Sequence, residues 1–539
     1  MYILKINNYK YESDWRPYAF PKEKNGFTSK EELCERFSKV DFNQPLKAGG
    51  IPIISDGKEM VIDDRTIMSI IYGSTGSGKT RKLIVESIMS CILGGESMII
   101  PDIKGELSKG VHSSIIRGLL EQEHYNCIFI DFREMLSDGF NVLHIPYKLY
   151  KSGKKDEASQ MISELVKGLA SIYKNSKADP FWEQSAKPGL EAIILLLFEI
   201  CDDIKYINMH TVKTFTSETG ARYLKDIVDM FDSENLILTK LRALLSQPER
   251  TKASTLATID TFIEPFLSSE KLSKMLSHST FDVEDIYKKK TALFIILPDE
   301  NDTYERICGF ILQQINETLI LEAYKNNGLL PRRVNFICDE FCNYRIPNMS
   351  SNISASRSRN VRWIIVCQSK KQLQNSYGED ADTIIANCEN IFFFNSTEPT
   401  LLSELSESVG ITYTTKDGIG KPIITVQDLK SLKKSWDCTE VFFTSRDIVY
   451  ISSLPDIAQY EYIQKFHKIY KLPIINKEAT KVYTPRMMYD YLSRLKTEEN
   501  NNFNNDDNDN FSDDDNEDLL EEIRKKFDEI FGSIDAEEE

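Results

Sequence analysis

Metal-ligand patterns are missing from these 539 residues, and so is any stretch suited to crossing a bilayer. The ten cysteines are scattered without a C-x-x-C pair, and the six histidines are equally dispersed, which leaves no structural zinc site to propose. Cys91, Cys308, Cys338 and Cys367 fall inside apolar runs and read as buried reduced thiols, so a reducing compartment is expected. The first thirty residues mix Lys, Tyr, Asp and Pro around no apolar centre, unlike a signal peptide. The longest apolar stretch, Leu190 to Cys201, carries Glu191 and Glu199; it is too short to span a membrane and reads as a buried helix.

Charge is also scarce where it first seems abundant. The formal charge is −17, but residues 498–539 hold 18 acidic and 3 basic residues, which leaves about −2 for the first 497. An acidic whole chain is therefore no argument against nucleic-acid binding. With 28% charged and 41% hydrophobic residues, the rest has the balance of folded protein, and its length suits two to four domains.

What is present begins with GSTGSGKT: Gly73, Ser74, Thr75, Gly76, Ser77, Gly78, Lys79 and Thr80. It follows the apolar run IMSIIY and precedes a helical pattern with Ile84, Ile88 and Ile92 on one face. Strand, loop and helix in that order are the context a phosphate-binding Walker A loop needs. Its glycines let backbone N–H groups converge on phosphate oxygens, and the helix N-terminus adds partial positive charge. Lys79 then reaches the β- and γ-phosphates and Thr80 ligates magnesium, so ATP and Mg2+ are the expected ligands.

Residues 1–45 read as a polar leader, weakly helical around KEELCERF, and Leu46 to Asp63 as hairpin-like strands. Strands SMIIPD and NCIFIDF follow the loop, with a helical stretch GELSKGVHSSIIRGLLEQ between them. Short apolar strands alternating with helices predict an α/β core with a mainly parallel sheet. Residues 154–287 are mostly helical, with a loop at KNSKADPFWEQ, and read as an inserted all-α domain between core segments 46–153 and 288–475. TALFIILP, VNFICDE, RWIIVCQ, NIFFFN and the pair EVFFTS and IVYIS complete the sheet. Residues 476–539 read as linker, acidic tail and short helix: NNNFNNDDNDNFSDDDNED has the composition of a disordered segment, while Leu520, Ile523, Phe527, Ile530 and Phe531 share a face of a following helix. That tail is either a solvated terminus or a tethered helix that docks on a partner.

VNFICDE supplies the second nucleotide signature, a Walker B strand ending in acids. Asp339 suits the magnesium shell, and Glu340 can polarise the attacking water. Gln368, at the end of the next strand, can sense the γ-phosphate. SRSRNVR just before that strand offers three arginines. Arg357 is the candidate for delivery in trans to a neighbour's nucleotide; contact with nucleic-acid phosphates or plain solvation are the competing roles.

GSTGSGKT, PDIKGEL, DPFW and the run CDEFCNYRIPNMSSNISASRSRNVRWIIVCQSKKQLQNSYG with NCENIFFF resemble the TraG-like coupling proteins of type IV secretion and conjugation, over roughly residues 46–454. The resemblance implies a RecA-type P-loop NTPase core with an inserted all-α domain. It also implies a hexameric ring at the cytoplasmic face of the bacterial membrane that brings a relaxase–DNA complex to the secretion channel at the expense of ATP. It supports Lys79, Thr80, Asp339, Glu340, Gln368 and Arg357 in the roles above. Asp102, Lys104 and Glu106 match the family's D-x-K-G-E motif, with no step assigned. Family members commonly begin with transmembrane helices, which this sequence does not show, so attachment through a membrane partner or a soluble mode of working is expected. KKK (Lys288 to Lys290), RTK (Arg250 to Lys252) and SRSRNVR are the candidate basic loops for DNA. A recruitment platform for protein cargo, with ATP setting the assembly state, is the alternative; a small-molecule kinase lacks an acceptor pocket. Deleting residues 498–539 separates the first two. Loss of partner binding with intact ATPase marks a docking segment, and retained binding marks a passive tail.

Overall fold

Strands that are apolar at every position, rather than at alternate ones, need cover on both faces. Ala292 to Leu297 and Trp363 to Cys367 are runs of this kind, and the strands that hold them are buried along their whole length. A computed structural model of the chain describes residues 27–42, 44, 46–172, 180–231, 235–413, 420–475 and 478–505. Its strands are β1 (Ser38–Asp41), β2 (Ile51–Ser55), β3 (Glu59–Asp63), β4 (Met68–Tyr72), β5 (Ser97–Ile103), β6 (Asn126–Asp131), β7 (Thr291–Leu297), β8 (Val334–Cys338), β9 (Val361–Cys367), β10 (Cys388–Phe393), β11 (Ile411–Tyr413), β12 (Gly420–Pro422), β13 (Cys438–Ser445) and β14 (Ile448–Pro455). Nine of them form one sheet in the order β14-β13-β10-β4-β9-β8-β5-β7-β6. The seven from β10 to β6 run parallel, and β13 and β14 add an antiparallel edge. This is the expected α/β nucleotide-binding architecture.

Alternate side chains of each parallel strand enter two separate cores. Leu293, Ile295 and Leu297 of β7 face one core; Ala292, Phe294 and Ile296 face the other. The first is covered by helices that include Lys155–Ile172, Pro180–Ile200 and Asp302–Lys325. The second is covered by the helix Val85–Leu93, the helix Ser113–Gln122 and the small antiparallel sheet β1-β3-β2. Between β6 and β7 every described element is a helix. The apolar stretch at Leu190 is buried inside this helical layer, with Leu190, Ile193, Ile194, Leu197 and Phe198 all inaccessible. Among the described residues no helix is long and apolar enough to cross a membrane.

The helical character expected around KEELCERF is a helix from Lys30 to Arg36, capped by Ser29 and followed by β1, which pairs with β3. Several local expectations need correction. The stretch from Gly105 to His112 is not helical. Asp102 accepts from Leu107 N, Ser108 N and Ser108 Oγ at 3.1, 2.8 and 2.6 Å, which holds it as a tight loop, and the helix starts at Ser113. Asp179 of DPFW lies outside the described residues, and Pro180 to Gln184 open a helix rather than a loop, because proline suits a first helical turn. Beyond residue 476, a helix spans Pro485–Asn505. Met488, Leu492 and Leu495 recur at helical spacing and are buried against the helix Glu218–Val228, where the Tyr489 and Tyr223 rings meet at 5.7 Å. Residues 506–539, including the expected short helix, lie outside the described residues.

At the end of the sheet where parallel strands begin, one carboxylate holds several segments. Glu96 meets Arg333 at 2.8 Å and Arg362 at 3.1 Å, and accepts from Gly49 N and Asn335 Nδ2 at 2.9 Å each. Arg362, expected as one of three available arginines, is thus a buried structural group. Removing one side of a buried ion pair leaves the other uncompensated. Glu96→Leu is therefore expected to destabilise by roughly 3–5 kcal/mol in chemical denaturation. Arg357→Ala, which breaks a half-exposed pair with Glu389, is expected to cost less than about 1 kcal/mol.

Candidate nucleotide site

β4 ends at Tyr72 and the chain enters the phosphate loop. Gly73 N–H is tied to Cys367 O at 3.2 Å, and Ser74 donates from N and Oγ to Asn395 Oδ1 at 3.0 and 2.9 Å. Gly76 (φ +73°) and Gly78 (φ +98°) occupy left-handed backbone, where a side chain would be strained. A Cβ on Gly73 would lie 2.7 Å from Ser77 Oγ. After Thr80 one turn bonds i to i+5, Val85 N–H to Thr80 O, before the regular helix Val85–Leu93 begins.

Lys79 is nearly buried and donates from Nζ to Gly73 O (2.6 Å) and Ser74 O (3.0 Å). Burial lowers its pKa, against the opposing pull of Asp339 and Glu340. Thr80 Oγ1 donates to Asp339 Oδ2 at 2.8 Å. Glu340 stands beside them in left-handed backbone (φ +54°), an uncommon state for a non-glycine residue and one that collects at functional sites. Burial first, then Asp339, raise its pKa. Asn343 Nδ2 lies 3.1 Å from Glu305 Oε1 and 3.5 Å from Glu340 Oε2.

Thr75 to Thr80, Asp339 and Glu340 line a cleft of about 430 Å³ that also takes in Lys104, Glu106, His112 and Gln368. All eight Walker A positions, Asp339, Glu340 and Gln368 thus come together at one edge of the sheet. Arg357 does not. It lies before β9, at the opposite end of that strand from Gln368, and pairs with Glu389 at 3.3 Å. Asp102 and its loop are drawn in, with Asp102 buried behind the cleft and Lys104 and Glu106 on its wall.

Sequence reasoning missed Asn395, Lys82 and Lys434. Lys434 donates to Gly76 O, and Lys82 to Ser435 O and Thr439 Oγ1 at 2.7 and 2.9 Å. Each contact joins the phosphate loop to chain more than 300 residues away, with no local signal to announce it.

The donor set fits a magnesium-bound triphosphate. Ser77 Oγ is buried without a partner inside the cradle, two glycines free the loop backbone, and a hydroxyl and a carboxylate meet where a hard cation prefers oxygen. Fold and site together define a P-loop nucleotide-binding protein of the RecA-like class.

The chain belongs to the family described as type IV secretory system conjugative DNA transfer, whose model matches residues 22–440. It is 24% identical over 253 residues to the Type 4 coupling protein DotL of Legionella pneumophila; that match spans 44% of this chain but only 30% of DotL. Its fold is similar to the plasmid coupling protein TrwB in complex with the non-hydrolysable ATP analogue ADPNP (TM-score 0.55, 15% identity, 86% of this chain and 98% of that one). TrwB in complex with ADP and Mg2+ is similar at TM-score 0.54 and 15% identity, over 85% and 95%.

Burial raises the Asp102 pKa to about 6, against the hydrogen bonds that favour its ionised form. The folded state therefore binds this proton more tightly than the unfolded chain does. The stability it contributes is complete below the unfolded value near 4 and is lost as pH rises through about 6. Relative to Asp102→Asn, the wild-type chain is expected to gain roughly 2.5 kcal/mol between pH 7.5 and pH 4. Melting curves of both proteins across that range measure it, and a constant difference would assign Asp102 an ordinary pKa.

Proposed function

We propose that this chain is an ATP-hydrolysing coupling motor that recruits a DNA–protein substrate to a type IV secretion channel and drives its transfer. The single observation that carries the hydrolytic part is the 2.8 Å contact of Thr80 with Asp339, with Glu340 next in the chain. Loop N–H groups and Lys79 would hold the β- and γ-phosphates, and Thr80 and Asp339 would hold Mg2+, which when bound offsets phosphate charge. Glu340 takes the proton of a water whose oxygen bonds to the γ-phosphorus as the bond to the ADP oxygen breaks. Gln368, on the same wall, orients that water or senses the γ-phosphate.

Other parts of the proposal rest on family membership. The motor core comprises residues 46–153 and 288–475, and 154–287 form an all-α domain inserted in it. The working form is a homo-hexamer at the cytoplasmic face of the membrane, held there by a partner protein and contacting a relaxase or another secreted protein. Arg357 serves a neighbour's nucleotide. Support for DNA comes from the family rather than from the basic loops. Lys288, Lys289 and Lys290 pair with Glu284, Asp285 and Glu123, and Lys252 pairs with Glu249.

Lys79→Ala is expected to abolish ATP binding. Glu340→Gln is expected to keep it while slowing phosphate release by roughly 10²- to 10⁴-fold. Added single- or double-stranded DNA is expected to raise the wild-type rate; a steady-state ATPase assay indifferent to both would remove DNA from the proposal.

A further inference from the structure

We propose that Lys104 is a second catalytic cation of this site, presented to the γ-phosphate from the wall opposite Lys79. The proposal rests on the nucleotide reading above and assigns a task to the cationic member of the D-x-K-G-E motif, which faces the cleft beside Glu106.

The loop that carries Lys104 is built to hold it in place. Buried Asp102 ties down Leu107 and Ser108 with three hydrogen bonds. Lys104 N–H donates to Leu297 O of β7 at 2.9 Å, and Gly105 N–H returns to Asp102 O at 3.2 Å. Lys109 Nζ closes the far side on buried Asp131. Within this clamp Lys104 has φ +68° and Gly105 φ +71°. A lysine gains nothing from left-handed backbone, and asparagine or glycine would fit there with less strain. The side chain therefore has to justify the position.

Its surroundings say what for. Lys104 lines the main cleft and also a smaller recess of about 70 Å³ bounded by Thr80, Asp102, Glu106, Asp339 and Glu340. That recess is the end of the site where the magnesium ligands and the water-activating acid meet, so a cation there faces the γ-phosphate, not the base. Lys104 is also within electrostatic reach of Glu340. Its ion pair is with Asp299 at 3.6 Å, both side chains about half exposed, a contact too long and too wet to hold the ammonium against a phosphate. Lys79, in contrast, sits on the loop side, against Gly73 O and Ser74 O. Charge that grows on the γ-phosphoryl oxygens in the transition state would then lie between two ammonium groups. Preorganised cations aimed at developing charge are among the largest catalytic contributions known.

The test uses the full chain with Mg2+ and fluorescent ADP, alone and with fluoroaluminate as a mimic of the transferring phosphoryl group. Lys104→Gln is expected to leave ADP affinity within about twofold of wild type, and to weaken the ADP–fluoroaluminate complex and slow single-turnover phosphate release by roughly 10²-fold. Lys104→Asn removes the charge while suiting the backbone, so it is expected to melt no lower than wild type and yet show the same losses. Lys104→Arg is expected to recover part of the rate. Hydrolysis and fluoroaluminate affinity at wild-type levels in the Gln and Asn variants would overturn the assignment, as would equal losses for ADP and its fluoroaluminate complex. A wild-type chain that binds neither nucleotide would remove the nucleotide reading itself, and this proposal with it; binding retained in wild type, with unchanged variants, would remove Lys104 alone.

Discussion

Three strands that are neighbours in space, one from near residue 70 and two from beyond residue 330, decide where this molecule can do chemistry. β4, β9 and β8 lie side by side and run parallel, so their C-terminal ends open at a common edge. β4 delivers the phosphate loop there, β8 the pair Asp339-Glu340, and β9 Gln368. The Thr80–Asp339 hydrogen bond spans 259 residues of sequence and can form only if that register holds. Continuous burial of the strands keeps it, since both faces of each one are committed to a core.

The motifs were legible because their geometry is local. A glycine-rich loop between an apolar run and an amphipathic helix has few other uses, and an apolar strand ending in two acids is nearly as specific. Strand runs were legible for a related reason: whole-strand apolarity announces a sheet covered on both sides. The run of helices between β6 and β7 could be read from the change of period. What could not be read depended on distant pairing. Asn395 looks like the polar end of a strand until it is found holding Ser74, and Arg362 looks like one of three similar arginines until β5, β8 and β9 pair and bring Glu96 against it. The loop after Asp102 looks helical because its composition is; three hydrogen bonds to one buried carboxylate outweigh propensity there.

Strain marks the working edge. Lys104 and Glu340 both hold left-handed backbone within the same recess, and each is maintained by neighbours that fix the chain on either side. Such conformations persist only where surrounding structure over-determines them. For Lys104 that structure is the Asp102 clamp and the bond to β7. For Glu340 it is the bond of its own N–H to Asp339 Oδ1 at 3.0 Å and the contact of Tyr344 Oη with Asp339 O. Acid and cation are thereby held on separate rigid supports, so their separation does not depend on side-chain flexibility alone.

The opposite edge of the sheet is organised on a different plan, and this bears on Arg357. Its carboxylate partner Glu389 is shared: Arg446 meets it at 2.9 Å and Arg65 at 3.5 Å. A carboxylate with three cationic neighbours stays compensated when one leaves, so releasing Arg357 does not create the unpaired buried charge that makes other ion pairs expensive to break. Arg362 is the contrasting case, fully buried on Glu96 and unable to move without opening the sheet's edge. Of the arginines in SRSRNVR, then, Arg357 is held loosely enough to be handed over, and the length of β9 keeps it from its own nucleotide. A phosphate for it has to come from outside its own chain's cleft, as the proposed delivery to a second copy of the chain requires.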